Sequence, residues 1–336
     1  MTVVGPFGLS VRDQALEADV QAGLAAVEEG LLEATKSEVP FITEAAQHLV
    51  RAGGKRFRPL LVMLAAQFGD PYAPGVVPSA VVVELTHLAT LYHDDVMDEA
   101  EVRRGVPSAN ARWGNSVAVL TGDFLFARAS HILADLGPEA VRVQAEAFER
   151  LVTGQILETA GPSDGRDPVE HYLDVLAGKT GSLVAVSCRF GAMMSGADES
   201  LVNVLTQYGE RLGVAFQLAD DVLDIASDSH ESGKTPGTDL REGIATLPVL
   251  RLRERAARLG TAEDIALCEL LDSDLTDDAR HAQALAALRA HPALEQARRD
   301  TVRYAEEARS ALAPLRECEA KAALIELCDA VVHRAG

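Results

Sequence analysis

The sequence predicts an all-α fold in a single domain, on three observations. Hydrophobic residues make up 48% of the 336 residues and aromatics only 4%, with Ala and Leu dominating long stretches and few β-branched runs. Apolar positions recur at helical period through most of the chain. No Pro/Gly/Ser-rich linker divides it into two self-sufficient halves, so residues 1–336 read as one unit although length alone, at about 150 residues per domain, suggests two.

Taken in order, residues 13–36 alternate apolar and acidic positions at helical period, and a second helix follows over 40–52. Gly53-Gly54-Lys55-Arg56-Phe57-Arg58-Pro59 is a glycine break carrying three cations, and Pro59 suits the first turn of a helix reaching Phe68. A loop with three prolines covers 70–78. Residues 79–98 form one long helix that is apolar nearly all round, hence central. Its polar exceptions, Glu84, Thr86, His87, Thr90 and His93, are therefore informative. Helices are expected over 112–135, 138–158, 169–195 and 199–225, with a loop at 161–168 and a long irregular stretch at 226–243. Residues 245–333 read as four or five amphipathic helices that complete the bundle.

Lys and Arg total 31 against 51 Asp and Glu, a formal charge of −20, which excludes a nucleic-acid binder with its basic surface. An anionic substrate would need metal ions or a concentrated basic cluster. The four cysteines show no zinc spacing and read as buried apolar residues in a reducing compartment. The N-terminus lacks the pattern of a signal peptide, and no run of 18 apolar residues is present, so the expectation is a cytoplasmic protein without a membrane span.

The central helix ends in Asp94-Asp95-Val96-Met97-Asp98, and the helix at 199–225 ends in Asp220-Asp221-Val222-Leu223-Asp224. Helical spacing puts Asp94 and Asp98 on one face with Asp95 close by, and Asp220, Asp224 and Asp221 repeat the arrangement. Like charges so placed destabilise a helix by about a few tenths of a kcal/mol per pair. Two copies need a compensating cation. An oxygen cage suits Mg²⁺, which is held by one or two carboxylates plus waters and substrate phosphates.

The basic residues then read as anion clamps. Lys55, Arg56 and Arg58 sit in a glycine turn, Arg103 and Arg104 follow the first carboxylates, Lys179-Thr180-Gly181 opens a helix, and Lys234 lies in the long loop where a lid would close. Elsewhere a basic residue is a surface ion pair worth little; these cluster in glycine breaks. Two anionic substrates, metal ions and an apolar interior describe a diphosphate carried on a hydrocarbon.

These residues resemble the trans-isoprenyl diphosphate synthases. The matching segments are GGKRFRP (53–59), HLATLYHDDVMDEAEVRRG (87–105), GKTGSL (178–183), FQLADDVLD (216–224) and GKTPGTDL (233–240), and they span about residues 50–250. The run from Asp94 to Phe126 looks most like medium- and long-chain polyprenyl diphosphate synthases that supply quinone side chains. The resemblance implies a helical bundle with a central apolar tunnel, a homodimer, and three Mg²⁺ ions. Asp94, Asp98 and Asp220 would bind metal directly, with Asp95, Asp221 and Asp224 close to it. Lys55, Arg58 and His87, helped by Arg104, would bind isopentenyl diphosphate. Arg103, Lys179, Gln217 and Lys234 would hold an allylic diphosphate, with Thr180 steadying the cation. Ile244 stands where short-chain relatives often carry a second lysine.

Chain length follows from residues one turn or more before Asp94. In short-product relatives aromatic side chains there stop elongation; here stand Ala89 and Thr90, with Leu85 and Thr86 a turn lower. A helical turn rises about 5.4 Å, comparable to one isoprenyl unit, so a product of roughly six or more units is expected. Phe124 and Phe126 are candidates for a lower floor. A terpene cyclase would carry a mixed second metal site, an inactive subunit of a two-component enzyme would have lost carboxylates or clamps, and a di-iron site at Glu84-x-x-His87 would need a second such pair.

Overall fold

The computed structural model describes residues 3–4, 9–10, 13–163, 165–226 and 236–335. After a two-residue strand pair, β1 (Val3–Val4) with β2 (Leu9–Ser10), come helices α1 (Gln14–Ala34), α2 (Pro40–Arg51), α3 (Phe57–Ala66) and α4 (Val76–Met97). A hairpin of β3 (Val102–Arg103) and β4 (Val106–Pro107) leads to α5 (Ala109–Trp113), α6 (Asn115–Leu136) and α7 (Pro138–Ala160). Then follow α8 (Pro168–Leu176), a π-helical turn (Ala177–Gly181), α9 (Ser182–Met194), α10 (Glu199–Ala226) and α11 (Thr238–Arg241). The chain closes with α12 (Leu247–Leu259), α13 (Ala262–Leu271), α14 (Asp278–Ala290), α15 (Pro292–Ala311) and α16 (Glu319–Ala335), the five-helix version of the expected tail. The all-α class expected from composition is what the chain adopts.

Several boundaries differ from the sequence reading, each for a local reason. Gly114, at φ 86°, breaks the helix expected over 112–135 into α5 and α6. Val76 rather than Ser79 opens α4, because Pro78 fits within a first turn. The helix expected over 169–195 is interrupted by the π turn.

Two compact units emerge, interleaved along the chain. The first comprises residues 1–149, 183–209 and 311–327, the second 150–182, 210–310 and 328–336. In the first, α4 is the centre, packed by α1, α3 and α6. Asp13 caps α1 by accepting from Ala15 N at 2.7 Å, and Leu16, Val20, Val27 and Leu31 form its buried stripe. Tyr92, fully buried on α4, donates its hydroxyl to the Ala45 carbonyl at 2.6 Å and accepts from Leu49 N at 3.3 Å, tying α4 to α2. In the second unit α8 packs on the π turn and α12, and α13 bridges α12 and α14. Asp167, Thr261 and Asp277 cap α8, α13 and α14.

Cys188 and Cys328 are buried as expected, Cys268 and Cys318 half-buried. Among the described residues, α6 alone has the length and average apolarity to cross a bilayer, but Asp123 and Arg128 interrupt it, so it contains no run of 18 apolar residues.

Candidate active site

The first unit gathers a cationic cluster around one buried carboxylate, Glu84 of α4, which is 2% exposed. Arg56, in the left-handed region at φ 46°, turns its guanidinium inward, and Nη1 meets Glu84 at 2.9 Å. Its Nε and Nη2 go to Glu28, and Nη2 also to the Val50 carbonyl. The sequence placed Arg56 among the diphosphate clamps; its donors are taken up by the protein's own carboxylates, a brace that the glycine-turn pattern did not reveal. Arg104 donates Nη1 to the carbonyls of Leu49 (3.0 Å) and Gly53, and its Nη2 lies 3.8 Å from Glu84. Gly54 has φ 154°, backbone that side-chain-bearing residues rarely adopt, and the Arg104 guanidinium lies over it, 2.8 Å from where a Cβ would stand. Arg58 is half-buried with a buried Nε that meets no partner. Burial, with Arg104 adding to it, pushes its pKa down to about 10 against the pull of Glu84. His87 sits among these cations: burial first, then Arg58, Arg104, Arg103 and Arg56, hold its pKa well below the ordinary value, so it is neutral at pH 7. Lys55, on the same turn, is exposed.

At the end of α4 the carboxylates divide by role. Asp94 is half-buried and Asp98 exposed, whereas Asp95 is fully buried and accepts from Arg103 Nε at 2.6 Å. The other Asp95 oxygen is buried without a partner, and burial raises its pKa despite Arg103. Among the described residues, the three non-glycine residues with positive φ are Arg56, Glu99 and Arg104, all beside this cluster; such backbone gathers at functional sites. His93, one of the polar exceptions on the central helix, is a hydrogen-bonded helix-end histidine, 3.1 Å from the Val119 carbonyl. Glu84 pairs with arginines, which leaves no role for a Glu-x-x-His metal site. Below the motif, Leu85 and Ala89 are fully buried, Thr90 Oγ1 bonds the His87 carbonyl, and Thr86 Oγ1 accepts from Gln144 Nε2 at 2.8 Å. Phe126 packs on Phe148, ring centres 4.4 Å apart.

The second unit repeats the division. Asp220 lies 2.7 Å from Arg334 Nη2 of α16, whose guanidinium stacks over Phe216. Asp221 is 6% exposed and bonded by Gln217 Nε2 at 3.0 Å and by the Tyr172 hydroxyl. Burial carries its pKa up to about 7, opposed by the Tyr172 and Gln217 hydrogen bonds. Asp224 accepts from Thr238 N and Asp239 N, both at 3.3 Å, and so holds the start of α11. Gln217 Oε1 accepts from Thr180 Oγ1 at 3.4 Å, and Lys179 Nζ reaches Glu158 at 2.6 Å. The π turn that presents Lys179 and Thr180 packs on α7 at Gly154, where a Cβ would lie 2.6 Å from Lys179 N; π turns are frequent at functional sites. Lys234 lies outside the described residues.

Among the described residues, no three His, Cys, Asp or Glu side chains form a group that could hold a metal ion. The carboxylates that are not fully buried are Asp94 and Asp98 in one motif and, in the other, Asp224 and Asp220, whose Oδ1 is buried against Arg334. A hard donor set of one or two carboxylates fits Mg²⁺ completed by water and phosphate, and does not fit a closed all-protein cage. Tyr172 and Arg334 escaped the sequence reading; Glu84 was singled out there as a polar exception inside an apolar helix, but not as the carboxylate on which the arginines converge.

A polyprenyl synthetase family model matches residues 39–288. The nonaprenyl diphosphate synthase of Mycobacterium tuberculosis is 48% identical over 330 residues, covering 98% of this chain and 97% of that protein. A geranylgeranyl pyrophosphate synthase from Corynebacterium glutamicum, solved with calcium and isoprenyl diphosphate, superposes with a TM-score of 0.87 at 44% identity, covering 97% of this chain and 99% of its own. A decaprenyl diphosphate synthase from Rhodobacter capsulatus gives 0.85 at 36% identity, covering 96% and 99%. With its two Asp-Asp-x-x-Asp helix ends, its cationic cluster and these likenesses over nearly its whole length, the chain belongs to the polyprenyl synthetase family.

Proposed function

We propose that the chain is a Mg²⁺-dependent prenyltransferase that joins isopentenyl diphosphate head to tail (1′-4) to an allylic diphosphate, and repeats the step to give a long all-trans polyprenyl diphosphate for a quinone side chain. The observation that carries this reading is the crowding of Arg56, Arg58, Arg104 and His87 near the buried carboxylate Glu84, with only the part-exposed Glu28 joining it at Arg56, in a chain of net charge −20. Such crowding is costly unless an anion is to be bound.

In the first unit, Lys55, Arg58, His87 and Arg104 bind isopentenyl diphosphate, Arg56 keeps Glu84 in place beneath them, and Asp94 and Asp98 take metal. In the second, Asp220 takes metal, while Lys179, Thr180 and Gln217 bind allylic diphosphate, a role that the family resemblance also implies for Arg103 and Lys234. Asp95, Asp221 and Asp224 act from behind, each being engaged by the protein. The family resemblance implies three Mg²⁺ ions; metal held by these carboxylates would draw charge from the leaving diphosphate. The calcium and isoprenyl diphosphate of the Corynebacterium relative support this ligand set. The allylic C1–O bond breaks, C4 of isopentenyl diphosphate bonds to C1, and the proton lost from C2 passes to the released diphosphate, so no protein base is required. The apolar interior around α4 excludes water from the cation.

A long product is supported by the nonaprenyl and decaprenyl relatives and by the small side chains of Ala89 and Thr90. A shorter product is the second reading, favoured by the geranylgeranyl relative and by the polar Gln144–Thr86 bond across the interior of the first unit. A homodimer is supported by the outward apolar residues Val119 and Leu120 of α6 and Val141, Val152 and Ile156 of α7. Asp123, Arg128 and Asp135 along α6 favour a second copy over a bilayer as the cover.

Product analysis tests the reading. Purified protein is incubated with labelled isopentenyl diphosphate, Mg²⁺ and farnesyl or geranylgeranyl diphosphate, and the dephosphorylated alcohols are sized. A narrow band of roughly six or more isoprene units is expected, one unit per helical turn passed. A geranylgeranyl-length band selects the second reading. No Mg²⁺-dependent product from any primer moves the chain to one subunit of a two-component enzyme.

A further inference from the structure

We propose that Tyr172 is a positioning residue of the transfer reaction, setting the turn of α10 that presents Asp220 and aligning the Gln217 amide with Thr180. The proposal rests on the prenyl-transfer reading above. Four side chains on three elements of the second unit form one continuous hydrogen-bond chain. Tyr172, on α8, donates its hydroxyl to one oxygen of Asp221. The other Asp221 oxygen accepts from Gln217 Nε2 at 3.0 Å, one turn earlier on α10. With Nε2 engaged there, Oε1 is the Gln217 atom that meets Thr180 Oγ1, at 3.4 Å, on the π turn.

Donation converges on Asp221: Thr180 donates to Gln217, and Gln217 and Tyr172 each donate to one oxygen of the carboxylate. A carboxylate as deeply buried as Asp221 needs donors on its oxygens, and donors to a charged group make strong bonds. Tyr172 and Gln217 supply them. Losing the phenol frees Asp221 to rotate, which releases the Gln217 amide to turn over, placing an N–H where Thr180 now finds an acceptor. Asp220 is the adjacent residue, so the anchor that holds Asp221 inward also fixes how far Asp220 projects outward. Tyr172 touches neither substrate nor metal in this scheme; it acts through Asp221.

The experiment uses Tyr172→Phe, Asp221→Asn and the double variant in the full chain. Wild type must first give Mg²⁺-dependent product; its failure to do so refutes the prenyl-transfer reading and not the role of Tyr172 within unit two. Phenylalanine fills the same volume, so helix content and melting temperature are expected to stay near wild type and KM for isopentenyl diphosphate to stay unchanged. The turnover number should fall about ten- to a hundredfold, the worth of a hydrogen bond to a charged group. The Mg²⁺ concentration that half-saturates binding of an unreactive allylic diphosphate analogue, followed by calorimetry, should rise. Asp221→Asn should reproduce both changes, and adding Tyr172→Phe to it should cost no more than about twofold, because partners in one network are not additive. Wild-type turnover and Mg²⁺ dependence in Tyr172→Phe, a loss of melting temperature alone, or full multiplication of the two effects in the double variant each overturns the proposal. Should Tyr172→Phe not fold, an unchanged Mg²⁺ dependence in Asp221→Asn overturns it.

Discussion

Glu84→Gln keeps the shape of the side chain and deletes the charge on which Arg56, Arg58 and Arg104 converge. Removing one partner of a buried ion pair costs about 3–5 kcal/mol. Here Gln retains an acceptor 2.9 Å from Arg56, and Arg56 keeps Glu28. The expected loss is therefore about 2–3 kcal/mol, below the full figure. Glu28, whose side chain is 43% exposed, is the control, and Glu28→Gln should cost about 1 kcal/mol or less. Urea unfolding followed by circular dichroism reads both. The second half of the prediction has the opposite sign: with Glu84 neutral the cluster carries one more uncompensated positive charge and binds anions more tightly. Inorganic diphosphate should thus raise the unfolding midpoint of Glu84→Gln more than that of wild type, the gain reaching about 2.7 kcal/mol at a hundred times Kd. A variant as stable as wild type, with an equal gain from diphosphate, would show that Glu84 does not hold the cluster together.

Asp94→Ala and Asp220→Ala should each abolish nearly all product formation while leaving the fold intact by circular dichroism; near-normal turnover in both sinks the metal assignment. Ala89→Phe should shorten the product, read as a shift in the alcohol ladder, and an unchanged ladder would mean that the tail does not pass this fully buried position. His87 supplies a pH test. Its folded pKa is depressed by burial and the surrounding arginines, so its contribution to stability is complete above about pH 6.5 and is lost as pH falls toward the folded pKa. Asp221, raised to about 7, has the reverse sign, stabilising below its ordinary range and losing that contribution as pH rises through about 7. The difference between wild type and His87→Gln cancels Asp221; it should shrink in wild type's disfavour as pH drops below 6.5, and parallel curves would refute the placement.

What the sequence disclosed was whatever helical periodicity and charge spacing encode. The apolar stretch before Asp94 and its echo before Asp220 were legible because each is a long helix with acids at one end, and helix formation is decided locally. Side-chain direction at those ends was not. Nothing in Asp-Asp-x-x-Asp distinguishes the aspartate that turns outward from the one that turns in; Asp95 is turned in by Arg103, eight residues on, and Asp221 by Tyr172, from another helix. Arg56 and Arg58 are two residues apart in one glycine turn and were read alike, yet the left-handed backbone at Arg56 sends its guanidinium to Glu28 and Glu84. The π turn at Lys179 was hidden because no residue pattern in Ala177–Gly181 marks it; it lies close against Gly154 of α7, a contact distant in sequence.

Arg104 illustrates how a single guanidinium can be shared between architecture and ligand. One of its nitrogens closes the end of α2, meeting the carbonyls of Leu49 and Gly53 at the helix's negative pole, where a cation is favoured. Five N–H donors diverge from a rigid plane, so those turned to the carbonyls fix the direction of the remainder. A lysine would carry the same charge but, lacking the plane, would have to choose between helix and substrate. On the proposed reading the clamp is thus aimed by the helix it caps: a phosphate at Arg104 would meet donors whose orientation was settled when α2 folded, and tension on it would be borne by the last turn of α2.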